Sequence, residues 1–151
     1  MTKKFLIFTL VAILVAVGVA YYMYNKPHMN VAKTSPDFTL SADSLFAEYQ
    51  LNEQAANTKF LEKILLVNGT VDHPNFENPA EPNIVLIASD GEGTVTCGFK
   101  PEYLASIQKL IAGDKITIKG QCKGLTGDAA LDLLASPDVV LTNCTVVADN
   151  K

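Results

Sequence analysis

The sequence contains no arginine and no tryptophan, and only two histidines and three cysteines. Without arginine there is no rigid guanidinium fork to pair bidentately with phosphates or to stack on bases. Without tryptophan the largest stacking platform for a single-stranded nucleic acid is gone as well. His28 and His73 stand 45 residues apart and no Cys-x-x-Cys pair occurs, so the ligand spacing of a zinc site is lacking. Neither the phosphate-cradling Gly-x-x-x-x-Gly-Lys nor the nucleophile-elbow Gly-x-Ser-x-Gly is present. No cysteine has a histidine close to it in sequence, which argues against a catalytic thiol. Asp90-Gly91-Glu92-Gly93 lacks the further ligands of a calcium loop and reads as a hairpin turn. The pair Glu77 and Glu81 falls in a proline-rich loop, where solvation explains both. A length of 151 residues excludes a multi-domain enzyme. The chain reads as a non-enzyme with no cofactor and no metal.

What the chain does have is unevenly placed. Hydrophobic residues make up 48% of it and charged residues 19%. Phe5 to Tyr24 is a run of 20 residues without a charge. As a helix it would be about 30 Å long, the thickness of a bilayer's hydrocarbon core. Lys3 and Lys4 precede the run, and Tyr21, Tyr22 and Tyr24 cluster at its far end, where amphipathic rings favour the membrane interface. A cleaved signal peptide with Val17-Gly18-Val19-Ala20 at its cleavage site competes with an uncleaved single-pass anchor over residues 1–24. The length of the run and its terminal tyrosines favour the anchor. The lysine bias leans towards an amino terminus inside and a periplasmic or extracellular domain. Beyond Lys4 the chain holds 10 lysines against 16 carboxylates, a net charge of about −6. That sign repels a polyanion unless lysines cluster.

Residues 25–40 read as a linker carrying Pro27 and Pro36. A domain then spans residues 41–148, followed by a tail of three residues. Ser41 is placed to cap a helix, with Asp43 in its first turn. Ala42, Leu45, Phe46, Tyr49, Ala56 and Phe60 form one helical apolar stripe. Branched residues from Ile64 to Val71 predict a first strand, interrupted by Gly69. Prolines in 72–82 predict an irregular loop. Ile84 to Ala88 and Thr94 to Phe99 predict two further strands, the latter with Val95, Cys97 and Phe99 on one face. Pro101 opens a short helix whose buried side holds Leu104, Ile107, Leu110 and Ile111, with Gly113 after its end. In 114–122, Ile116, Ile118, Gly120 and Cys122 point in while Lys115, Thr117, Lys119 and Gln121 point out. An Ala-Leu-rich piece within 123–137 suits a helical turn, and Asp138 to Val147 gives the last strand.

Five strands with a short helix between the third and fourth is the element order of the OB-fold, a small Greek-key barrel. The chain resembles the tRNA_anti-like family of OB-fold proteins, small bacterial proteins commonly carrying a membrane or lipoprotein leader. The resemblance rests on Val67-Asn68-Gly69-Thr70-Val71, Val95-Thr96-Cys97-Gly98-Phe99, the stretch from Gly113 to Gly124, and Val139 to Val146. It implies a mainly β fold and ancestry shared with nucleic-acid-binding domains, without implying an activity.

In such a barrel the fourth and fifth strands are neighbours. Cys122 and Cys144 can then form a disulfide if a bulge near Asn143 corrects the phase. The alternative is three buried thiols, and Cys97 is a small core residue in either case. The fold places a ligand over its second and third strands, with Phe76, Thr94, Thr96 and Lys100 as lining residues. Protein or peptide contact in the cell envelope is the leading expectation for that face. Single-stranded nucleic acid is the less favoured alternative, and it would use Lys115, Lys119 and Lys123, which share one strand's register. If those lysines lie dispersed among carboxylates, the alternative fails.

Overall fold

A computed structural model describes residues 13–15, 17–18, 31, 33–88, 91, 93–126 and 137–147. Strand β1 (Phe38–Ser41) leads into helices α1 (Ala42–Leu51) and α2 (Glu53–Phe60). Strands β2 (Ile64–Asn75), β3 (Asn83–Ala88) and β4 (Gly93–Phe99) follow as a meander. A turn of 3-10 helix, Pro101–Tyr103, runs into the short α3 (Leu104–Ile107), and β5 (Lys115–Thr126) and β6 (Asp138–Val147) complete the chain. The sheet order is β1-β2-β3-β4-β6-β5, and a further pairing of β2 with β5 closes the last five strands into a barrel. Within it β4 and β6 run parallel while every other pair is antiparallel. That closure and connectivity are those of an OB barrel.

Local chemistry explains most of these elements. The Ser41 hydroxyl accepts a hydrogen bond from Ser44 N at 3.1 Å and so caps α1. The stripe expected to form one helix forms two. Asn52, with φ −161°, leaves the helix, donates its backbone N–H to Glu48 O, and caps α2 by accepting from Ala55 N at 3.0 Å. Asparagine competes for backbone partners in this way wherever a helix is locally weak. Both helices still bury the expected residues, Ala42, Leu45, Phe46 and Tyr49 on one and Ala56 and Phe60 on the other. Helix α1 packs across β1, β2, β3, β4 and β6, closing one end of the barrel.

The barrel interior is lined by Leu65, Val67, Val71, Ile84, Leu86, Val95, Cys97, Ile118 and Leu141, all fully buried. Strand β4 alternates as expected, with Val95, Cys97 and Phe99 inward. Several expectations need correction. Residues 38–41 are a strand, paired in parallel with 65–68 of β2. The irregular loop begins later than residue 72, because β2 continues through a bulge between Val71 and His73 as far as Asn75. Pro74 is accommodated there because β2 pairs with β5 only as far as Thr70, leaving a side on which a missing N–H breaks no ladder bond. Ile111 is 66% exposed, since α3 ends at Ile107; Leu110 beyond it still packs half-buried against the core. Thr117 and Gln121, expected to face water, are buried. Thr117 Oγ1 donates to Asn68 Oδ1 at 2.7 Å, and Gln121 Nε2 donates to Glu62 Oε2 at 2.8 Å.

The expected Cys122–Cys144 disulfide is absent, and all three cysteines are buried free thiols. A bulge does fall at Asn143, whose φ is 53°, and it does turn Cys144 inward. The register nevertheless sets Cys122 opposite Leu141 and Cys144 opposite Phe99. Cys122 Sγ lies 3.4 Å from the Tyr49 hydroxyl, while Cys144 faces Cys97. Of the expected membrane helix, residues 13–15 and 17–18 are helical and exposed. Among the described residues no helix is long and apolar enough to cross a membrane. The remainder of that segment, the Ala-Leu-rich piece in 127–136, Asp90 and the last residues lie outside the described set.

Candidate functional site

The outward face of β3, β4 and β6 carries a depression of about 320 Å³. Its floor is Gly98, on the outward side of β4, where the lack of a side chain leaves room up to the Leu141 carbonyl. Around it stand Asn83 from β3, Thr96 from β4, and Thr142 and Asn143 from β6, with Glu81 and Lys100 at the rim. The parallel β4–β6 pairing brings these groups together, Thr96 standing opposite Val140 and Phe99 opposite Cys144. The bulge that turns Cys144 inward also leaves Asn143 at the wall of the depression. Thr142 Oγ1 is buried with no hydrogen-bond partner among the described residues.

Asp138 anchors the other end of this face. Its Oδ1 accepts from Thr94 Oγ1 and from Thr96 N, each at 3.0 Å. Burial pushes the Asp138 carboxyl above the usual carboxylate range, and these hydrogen bonds only partly offset it. Cys122 and Cys144 are poor nucleophiles in this setting. Burial raises Cys122 despite the Tyr49 hydroxyl and the Gly124 backbone, and burial together with the adjoining Cys97 raises Cys144 well above the ordinary thiol. Tyr49 is raised as well, first by burial and then by Cys122. No group of three His, Cys, Asp or Glu among the described residues is placed to hold a metal ion. The depression thus offers amides, hydroxyls, one amine and one carboxylate, groups that recognise by hydrogen bonding.

Of the residues expected to line a ligand site, Thr96 and Lys100 do line the depression. Thr94 is on the same face but is engaged by Asp138. Phe76 packs half-buried against the core, not over the face. Lys115, Lys119 and Lys123 are elsewhere, on β5. Lys119 Nζ donates to the Thr34 carbonyl at 3.1 Å, and Lys123 pairs with Glu62 at 2.8 Å. Asn83, Gly98, Thr142 and Asn143 escaped the sequence reading. The fold's parallel return of its last strand beside the third was the available signal for the two β6 residues. Two more open hollows exist. One of about 420 Å³ is lined by Asn68, Thr70, Lys115 and Thr117, and one of about 710 Å³ lies beside Asn52, Asn57 and Leu61.

The family model described as tRNA_anti-like matches residues 1–133. The chain belongs to the tRNA_anti-like family. No curated protein matches it. Among solved structures, it is similar to a lipoprotein from Klebsiella pneumoniae with a suggested nucleic acid-binding role, at 19% identity and a TM-score of 0.55. That match covers 81% of this chain and 99% of the lipoprotein. An asparaginyl-tRNA synthetase from Entamoeba histolytica matches at 15% identity and a TM-score of 0.44, over 78% of this chain and 25% of the synthetase. At these identities the likeness is one of fold.

Proposed function

We propose that this family member is a non-catalytic binding module, tethered to a membrane by its apolar amino-terminal run and facing the periplasm or exterior. It holds a polypeptide segment on the β3–β4–β6 face. The observation that carries the reading is the depression over Gly98. Its Asn83, Thr96, Thr142 and Asn143 side chains match the donors and acceptors of an extended peptide, and Thr142 Oγ1 lacks a partner among the described residues. Lys100 and Glu81 at the rim suit a ligand of mixed charge. Acidic character overall counts against a polyanion, as does the burial of Phe99, the aromatic among the lining residues, which leaves it no exposed face for stacking. A photo-crosslinking amino acid at Thr96 in the full chain, activated in intact membranes, tests this. Protein adducts are expected. Adducts to nucleic acid instead would support the oligonucleotide reading, which the family's name and the role suggested for the Klebsiella lipoprotein favour but the placement of the lysines does not.

A further inference from the structure

The segment that joins the apolar run to the barrel is not a loose string where the structure describes it. Val31 is 3% exposed, Thr34 O accepts from Lys119 Nζ, and Asp37 exchanges hydrogen bonds with Ile64 through both its backbone and its carboxylate. Strand β1 then continues this attachment along β2. The chain is therefore fastened to the outer wall formed by β2 and β5 at Thr34 and Asp37. Only residues 25–33 separate Thr34 from Tyr24, where the apolar run ends. Even fully extended, that interval spans at most about 36 Å.

Charge is distributed in the same sense. Lys33, Lys63, Lys115, Lys119 and Lys123 all belong to this wall or to the segment fastened on it, in a domain that is acidic overall. Asp37, Glu62, Asp72 and Asp114 are its neighbouring carboxylates. Glu62 pairs with Lys123, Asp72 meets His73, and Asp37 and Asp114 accept from the backbone N–H groups of Ile64 and Ile111. That leaves five lysines against four carboxylates here, in a domain where carboxylates predominate. The strands succeed one another around the barrel as β2, β3, β4, β6 and β5, so β4 is the strand opposite the β2–β5 seam. The depression over Gly98 is centred on β4.

We infer that the β2–β5 wall is the membrane-proximal surface of the domain, its exposed Lys33, Lys63 and Lys115 facing anionic lipid headgroups, and that the β4 depression is presented away from the bilayer. This rests on the tethered reading above. It identifies the partner as one arriving through the aqueous phase, not one embedded beside the anchor.

The test uses the full chain in vesicles of phosphatidylethanolamine and phosphatidylglycerol doped with a headgroup-nitroxide lipid. A fluorophore is attached at K115C, on the fastened wall, or at E81C, on the rim of the depression. The native thiols are buried, so brief labelling selects the new cysteine. Co-flotation with vesicles reports the tether, and quenching reports the orientation. The expected result is flotation of both proteins, loss of most fluorescence at K115C and little loss at E81C. Flotation with equal or reversed quenching overturns the orientation while leaving the tether standing. Failure to float overturns both.

Discussion

Gly93 and Phe46 occupy each other's space: a Cβ on Gly93 would lie 2.0 Å from Phe46 Cζ and 2.3 Å from Cε2. Phe46 is fully buried, so its ring has nowhere to retreat. The glycine at the start of β4 is what lets α1 settle onto the barrel. Gly93→Ala is expected to destabilise by about 1–3 kcal/mol, the range for overpacking a filled core. In a Phe46→Ala background the methyl meets a cavity and the penalty should largely vanish. A double-mutant cycle by urea unfolding measures this, and simple additivity would contradict the contact.

Gly120 and Cys144 form a second such pair. A Cβ on Gly120 would stand 2.6 Å from Cys144 Sγ and 3.1 Å from Leu141 Cβ. Gly120→Ala should cost about 1–3 kcal/mol, and Cys144→Ala should recover part of it. All three thiols should resist alkylation in the native protein and react once it is unfolded. Mass spectrometry after denaturation without reductant would reveal a disulfide as a missing pair of alkyl groups.

Neither contact could be read from the residues alone, because each joins elements distant in sequence. The inward alternation of Val95, Cys97 and Phe99, the Ser41 cap and the order of the barrel strands follow from local periodicity and hydrogen-bonding chemistry, and the structure has them. The bulge at Asn143 was foreseeable as a phase correction, but the partner it selects for Cys144 depends on the register with β4 and β5. Register is a tertiary property. Strand β1 was missed because its Phe38-Thr39-Leu40-Ser41 alternation is only four residues long, falls in a stretch that read as linker, and has a partner that begins 27 residues later, at Leu65 opposite Phe38. In the candidate site, Thr96 and Lys100 could be reached by phase along one strand. Thr142 and Asn143 required knowing how a bulged strand lies beside it.

Asp138 gives a pH dependence with a definite sign. Its folded-state affinity for a proton is raised by burial, so the native state holds that proton more tightly than the unfolded chain does. The resulting stabilisation is fully present below the unfolded carboxylate pKa of about 4 and is lost as pH rises through the higher folded value. Asp138→Asn retains an oxygen for Thr94 and Thr96 but carries no charge to desolvate. At neutral pH it should be at least as stable as the parent, with the difference shrinking in acid. Thermal unfolding across that range checks it; a variant that is less stable at neutral pH would contradict the assignment.

Filling the depression over Gly98 tests the binding face most directly. A Cβ there would meet only the Leu141 carbonyl, at 3.6 Å, an ordinary contact. Valine also suits a strand better than glycine, so Gly98→Val should leave the melting temperature unchanged or slightly raised. With the crosslinker at Thr96, the account predicts that this substitution abolishes the protein adducts formed by the parent chain in intact membranes. Undiminished adducts from a folded Gly98→Val protein would contradict it.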